Sequence, residues 1–466
     1  MHVSFTPSTL PLLLLAACLW YRSAGQLLPV AMFMSVFQAA SVVNLTFGGL
    51  IIGVQPAYLI LLFALAARFT QKREAVSRNW LPVATTTLLL AGFVTYAVVS
   101  ALLHPFLFQG VLISNPRVGD SVPLQWELGH LNQSFYLLLS FALYLVAAYR
   151  TTPAELTKSI NWFVGGVMFA SLVGLYQFLS IKTGLPFPRE ILHSSPVYSI
   201  FEGYEIDGFP RMNGTFSEAA AAAFYMTVGL ALALWRFLSR ADSVRNVTHV
   251  LVIVTGLLLT ISTTGYICLL FLLMVAALRY LGRYNDNLDG RSVRVLMVAP
   301  IVIMLFAFAG VPVMRDSLVK LSHTVLLDKT NSISYQTRTA WNQRAFNTAA
   351  DTFWLGAGWG VCRASSFVPT ILGNVGIPGT VLFFAFCARL LWPALSLRRL
   401  KVPMHGAVLF GLSAVLLDLV VAAPELSYPI VWLLFAMAAK FAAAQETQPA
   451  RPLLRYPELQ RFQASC

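Results

Sequence analysis

Charged side chains are scarce: they make up 11% of the 466 residues, where a soluble domain carries about a quarter. That scarcity excludes an ordinary soluble globule. Cysteine is scarce as well. Cys18, Cys268, Cys362, Cys387 and Cys466 show neither a CxxC nor a Cys/His ligand spacing, so no disulfide framework and no zinc site is implied. The seven histidines are scattered and form no HExxH, which leaves metal-assisted hydrolysis without support and predicts no metal site. A GxxxxGKS/T loop is missing, so the run Gly356/Gly358/Gly360 offers no nucleotide site. No cofactor is expected.

Apolar residues are abundant instead, at 58% of the chain, with a mean hydropathy of +0.71. Apolar runs of about twenty residues recur from end to end, each long enough to cross a hydrocarbon core of ~30 Å. Backbone in lipid must satisfy its own hydrogen bonds, so these runs are helices. The alternation of a membrane barrel is absent. The first run, with Arg22 after it and no basic region before it, reads as a membrane segment rather than a cleaved signal peptide.

The expected fold is an all-α polytopic membrane protein with about 12–14 transmembrane helices. Thirteen spans fit best: 8–21, 26–46, 48–68, 81–103, 131–149, 159–181, 216–235, 247–262, 264–281, 293–313, 367–390, 404–423 and 427–444. The long run 247–281 is divided at Ser262-Thr263-Thr264-Gly265, because one helix of that length would overshoot the membrane.

The net charge of +13 follows from cations in alternate connections, not from a nucleic-acid surface. Arg68 and Arg78, Arg150 and Lys158, Arg236 and Arg245, Arg279 and Arg294, and Arg389 and Lys401 fall in every second loop, which makes that side cytoplasmic. The organisation is a bundle over 1–313 with outer loops at 104–130 and 182–215. A large outer loop follows at 314–366, then C-terminal helices over 367–444 and a cytoplasmic tail at 445–466. The third loop carries Arg315, Lys320, Lys329, Arg338, Arg344 and Arg363 against Asp316, Asp328 and Asp351.

Within that loop, residues 335–352 have the composition of a short amphipathic helix. It sets Arg338, Trp341 and Ala345 on one face and ends before Gly356. Guanidinium groups recognise phosphate through a planar fork of donors. Trp341 is placed to meet a lipid headgroup or a sugar, and Arg211 brings another guanidinium to the same bilayer edge. The alternative for each arginine is a structural pair with Asp207, Asp351 or a glutamate. Glu218 is a candidate general base; the competing reading is a capping box, Thr215-Phe216-Ser217-Glu218, at a helix start. Glu425 is a weaker candidate of the same kind.

Three passages, in order, carry a resemblance: Arg211-Met212-Asn213-Gly214, Ser262-Thr263-Thr264-Gly265, and the block from Arg338 to Gly379 containing RTAW, WLGAGWG and SSFVPTILGNVGIPG. Together they resemble the O-antigen ligase/polymerase superfamily, the Wzy and WaaL type of bacterial membrane glycosyltransferase. The resemblance implies a lipid-linked donor, usually an undecaprenyl diphosphate glycan, used at the periplasmic face of the inner membrane without a nucleotide sugar. It implies that Arg211 and Arg338 hold the diphosphate, with Arg344 and Arg363 assisting.

Ligases of this family place a His-Asn pair ahead of the Gly-Ile-Pro-Gly turn. Ser365 and Ser366 stand there in this chain, ahead of Gly376-Ile377-Pro378-Gly379. That departure favours a polymerase of O-antigen, capsule or exopolysaccharide repeat units. A ligase or O-oligosaccharyltransferase acting on lipid A core or protein is the alternative enzyme. A non-catalytic lipid or glycan transporter is the alternative of another class; its internal repeats and mid-membrane charges are not evident. Expected partners are the lipid-linked glycan, membrane lipid, a chain-length regulator and a flippase, and no nucleic acid.

Overall fold

A computed structural model describes residues 2–47, 50–70, 81–115, 119–198, 200, 205–206, 209–239, 243–282, 333–392, 403–421 and 425–446. The expected span 293–313, the tail 447–466, and Arg315, Lys320, Lys329 and Asp207 lie outside the described residues. The protein is an all-α polytopic membrane protein, with no closed sheet among the described residues. Among the described residues, seven helices are long and apolar enough to cross a membrane, and four shorter apolar helices accompany them.

The helices used below are α1 (Thr9–Ser23), α2 (Leu27–Met34), α3 (Pro56–Thr70), α4 (Leu81–Leu107), α5 (Leu128–Arg150), α6 (Pro153–Thr183), α7 (Arg189–Leu192), α8 (Ala219–Leu238), α9 (Ser243–Leu259) and α10 (Thr263–Gly282). After them come α11 (Ile333–Asp351), α12 (Phe367–Leu391), α13 (Pro403–Val421) and α14 (Pro429–Glu446). The expected division within 247–281 is realised: α9 ends at Leu259, Ile261 takes a positive φ, and the Ser262 hydroxyl accepts from Gly265 N–H at the start of α10.

The structure differs at the second expected span. Residues 8–21 and 26 onward form one helical passage, Thr9–Met34, interrupted by a 3-10 turn at Ala24–Gln26. The chain then leaves the helix, and strands Val43–Phe47 and Leu50–Val54 pair antiparallel, with His2–Phe5 on the outer edge of the first. Apolar content alone had suggested a span there. Gly48-Gly49 between two β-favouring runs is the stronger signal, because glycine pairs suit tight hairpins.

Two ends of the bundle separate by chemistry. At one end the basic connections meet each other. Arg68 pairs with Glu155, the Arg150 guanidinium donates to the Arg68 carbonyl at 3.2 Å, and Lys440 donates to the Thr151 carbonyl. Arg279 donates to the Ser239 hydroxyl at 3.2 Å and lies over the Trp235 ring at 3.5 Å. At the other end, parts of all three expected outer loops converge with the 43–54 hairpin and the 425–428 connection.

The block containing WLGAGWG and GNVGIPG explains itself through backbone accounting. Helix α12 contains Pro378 and a non-helical Gly376 with φ +58°. Pro378 has no N–H, so the Asn374 carbonyl has no donor four residues on. Gly358 N–H supplies it at 2.8 Å. The break also frees the Gly373 carbonyl and the Ile377 N–H. Ala357 N–H donates to the first and the Trp354 carbonyl accepts from the second, both at 2.8 Å. A Cβ on Gly376 would collide with the Trp354 carbonyl, and one on Gly356 would lie 2.5 Å from the Asn374 carbonyl oxygen. The glycines let two backbones touch; they cradle no phosphate.

The loop runs deep. His104 Nδ1 lies 2.7 Å from the Gly356 carbonyl, Tyr96 donates to the Leu355 carbonyl at 3.0 Å, and the Trp359 ring packs edge-on against Phe93 at 5.7 Å. Phe93 and Leu107 are separated along α4 by roughly 20 Å. Irregular backbone at such depth is tolerated where it is covered by protein or lines a cavity, and Trp359 and Gly360 do line one.

Two outcomes follow for measurement. Gly376→Ala should destabilise the protein by about 2–5 kcal/mol through its backbone conformation and the collision. Gly165→Ala in α6, where a Cβ meets nothing within 4 Å, should be neutral or stabilising by up to about 1 kcal/mol; thermal unfolding in detergent or nanodiscs compares them. Cys362 lies under the same loop, 3% exposed, with burial pushing its thiol up to about 11. Its thiolate fraction at pH 8 is on the order of 0.1%, so maleimide should leave it unmodified in folded protein and label it after denaturation, read by intact mass.

Candidate functional site

A cavity of about 540 Å³ opens at the end where the expected outer loops converge. Its volume lies in the range of small-molecule sites. The first outer loop and the start of α5 contribute Gln125, Glu127, His130, Asn132 and Gln133, the second loop contributes Tyr198, and the third contributes Trp359 to Arg363. The hairpin adds Ile51 and Gly53, and the link before α14 adds Glu425 to Tyr428.

Arg363 and Glu425 form the charged wall. Arg363 Nη2 donates to Glu425 Oε1 at 3.2 Å, with the two side chains 51% and 35% exposed. Ser427 Oγ donates to the other carboxylate oxygen at 3.2 Å. Glu425 beside it holds the guanidinium above its ordinary value, and Glu218 adds to that effect from farther off. Burial first, and the Glu425 charge second, push the Tyr198 and Tyr428 phenols up, so both rings remain neutral. Gln55 donates to the Tyr198 hydroxyl at 2.8 Å.

Glu127 and His130 add polar groups to the lining. Glu127 is the N-cap of α5; its backbone carbonyl accepts the His130 N–H at 3.1 Å, and its own N–H points to His130 Nδ1 at 3.4 Å. That contact makes Nδ1 the acceptor and leaves the neutral ring's proton on Nε2. Neither residue stood out in sequence. The signal was available in QWELGHLNQ, residues 125–133, where polar side chains cluster at the mouth of an apolar span.

The residues singled out from sequence divide into those that meet the cavity and those that do not. Arg363 lines it, and so does Glu425, whereas Arg211, Glu218, Arg338, Trp341 and Arg344 do not. Glu218 is exposed and close enough for its charge to act on Arg363 and Tyr428. The expected capping box is not formed. Helix α8 begins at Ala219, Glu218 is the N-cap itself, and no side-chain cap hydrogen bond is made. The reason is upstream: the Thr215 hydroxyl donates to the Val36 carbonyl at 2.5 Å, and Ser217 N–H and hydroxyl both reach Gln38 Oε1. These contacts hold residues 215–217 against another segment and delay the helix.

The RMNG motif is likewise a joint. Gln177 donates to Asn213 Oδ1 at 2.7 Å, and its carbonyl oxygen accepts from Asn213 N and Gly214 N at 3.1 and 2.9 Å. Arg211 Nε donates to the Thr260 carbonyl at 3.3 Å and Met212 N to the Leu259 carbonyl at 3.1 Å. The first motif therefore docks on residues 259–260, just ahead of the second, at the α9–α10 turn.

Helix α11 spans Ile333–Asp351, close to the expected 335–352. Ala345, Thr348 and Ala349 are its buried side, while Arg338, Trp341 and Arg344 are half-buried. Asn342 Oδ1 accepts from Ser365 N and Ser366 N at 2.9 and 3.2 Å, where Ser366 is the N-cap of α12. The two serines thus couple α11 to α12 through their backbone. Among the described residues, no group of His, Cys, Asp and Glu could hold a metal ion.

Comparison with curated proteins gives no match. A family model described as O-antigen ligase, Wzy_C, matches residues 247–369, which include α9, α10, α11 and the cavity wall from Trp359 to Arg363. The chain therefore carries a Wzy_C, or O-antigen ligase, domain over residues 247–369, consistent with the O-antigen ligase/polymerase superfamily.

Proposed function

We propose that this multi-pass membrane protein is a polysaccharide polymerase of the bacterial inner membrane. It joins undecaprenyl-diphosphate-linked repeat units at the periplasmic face. The observation that carries the reading is the position of the Arg363–Glu425 pair. Arg363 lies in the matched segment 247–369 and Glu425 outside it, and both face a cavity built largely from the loops that the charge pattern assigns to the outside.

In this mechanism an acceptor hydroxyl attacks the anomeric carbon of the donor glycan. The bond from that carbon to the diphosphate oxygen breaks, and its electron pair leaves on the diphosphate. Cations placed where charge develops stabilise that step. One donor of Arg363 holds Glu425, and half of its side chain is exposed, so further guanidinium donors are available to a phosphate. Arg211, Arg338 and Arg344 assist from outside the cavity, and Trp341 meets the headgroup or first sugar. Glu218, not engaged in capping, takes the proton of the acceptor hydroxyl, and positioning of donor and acceptor supplies much of the acceleration.

The serines at 365 and 366 favour a polymerase over a ligase, because their backbone serves the α11–α12 joint and neither is a titratable base near neutral pH. The description of the matched family, O-antigen ligase, favours the second reading: transfer of finished glycan to lipid A core or protein.

Deletion of the gene in its host, followed by complementation, tests the reading. Surface and secreted glycan is sized on a gel, and carrier-linked glycan is measured. Loss of long chains, with single repeat units still present, is the expected result. Arg363→Ala should lower transfer on the order of 10²–10³-fold, with protein level and melting point retained, because a half-exposed ion pair is worth at most about 1 kcal/mol. Long polymer that accumulates on its carrier and never reaches core or protein would establish the ligase reading instead. Unchanged glycan of every size, on the surface and on the carrier, would remove both.

A further inference from the structure

We infer that the cavity beside Arg363 is a saccharide subsite that takes neutral or amino sugars and rejects acidic ones. The inference rests on the reading that this chain handles glycans, and adds the class of sugar. Among the described residues, the full charges lining the cavity are Glu127, Glu425 and Arg363. Arg363 is already bound to Glu425. Glu127 faces no guanidinium or ammonium among the lining residues, and His130 keeps a neutral-ring geometry through its Nδ1 contact. The local balance is therefore negative.

Aromatic rings complete the subsite. Trp359 is fixed edge-on by Phe93, Tyr58 and Tyr136 lie 4.9 Å apart at 54°, and Tyr428 packs on Phe224 at 4.9 Å. Tyr58 and Tyr428 are buried, and the partly exposed Trp359 and Tyr136 are the rings available to the C–H face of a sugar. Asn132 and Gln133 line the same space and can both donate to and accept from hydroxyl or N-acetyl groups. A uronate entering here brings its carboxylate toward Glu127 and Glu425, while the remaining donors of Arg363 are those that the proposed reaction gives to the donor diphosphate. Rejection by uncompensated like charge is an efficient source of specificity.

The test is direct binding to the full chain in nanodiscs, by saturation-transfer NMR and calorimetry, with chitotetraose and maltotetraose as neutral probes and tetragalacturonic acid as the acidic one. The wild type should bind at least one neutral probe about tenfold or more tightly than the acidic probe. Glu127→Gln removes the charge and leaves the backbone contact from His130 N–H in place, so it should shift the ratio of acidic to neutral binding about tenfold toward the acidic probe. Trp359→Ala should weaken the neutral probe by about tenfold, and Trp359→Phe should recover part of the loss.

Equal or tighter binding of the acidic probe to the wild type, or binding of none of the three probes, overturns the inference. A Glu127→Gln protein that still rejects the acidic probe overturns its electrostatic basis. Failure here leaves the polymer-length experiment standing. Conversely, neutral-sugar binding in a protein whose gene deletion leaves every glycan unchanged would retain the subsite and remove the polymerase and ligase readings.

Discussion

Residues 354–358 and 373–377 meet backbone to backbone, and the cavity depends on that contact. A proline inside a membrane helix leaves a carbonyl without its donor, which is costly where no water can replace it. The Gly356–Gly358 turn supplies the missing N–H groups, and the Trp354 carbonyl takes the one that the break at Gly376 releases. Each strand of the crossing completes the other. Neither passage would be tolerated in lipid alone, which is the physical reason the two motifs occur together in one chain.

From this joint the rest of the wall is positioned. Asn374, just before the break, accepts from Val361 N and Cys362 N at 3.0 Å each and donates to the Cys362 carbonyl at 2.6 Å. The chain is thereby held through Cys362, one residue before Arg363. The arginine that reaches Glu425 is mounted on a segment fixed by a side-chain amide and two crossing backbones, rather than on a free loop. Such mounting lets a half-exposed ion pair keep a defined geometry although its own energy is small.

Tight helix–loop joints and a charged cavity share one end of the molecule, whereas the basic connections interlock at the other. RMNG and the α9–α10 turn are joints of the same kind as WLGAGWG and α12: buried, hydrogen-bonded and largely backbone-mediated. Several short motifs that read as chemistry therefore act first as architecture. The side chains free to meet a ligand are fewer, and come from segments that do not touch in sequence.

Much was legible without coordinates. Apolar run length determined the helices, because lipid leaves backbone no other partner. Alternating cations separated the loops into two sets, and the periodicity of 335–352 marked α11, because both patterns are local. The second span misled, since apolar content by itself cannot distinguish a helix from an apolar hairpin. The start of α8 misled as well, since the contacts of Thr215 and Ser217 with Val36 and Gln38 come from residues 179 positions away. Only the tertiary structure brought Glu127, His130, Tyr198, Arg363 and Glu425 around one cavity and kept Arg338 and Arg344 off its lining. Local composition fixes which segments are helical; which side chains face a common space depends on long-range packing, and no spacing within the chain encodes it.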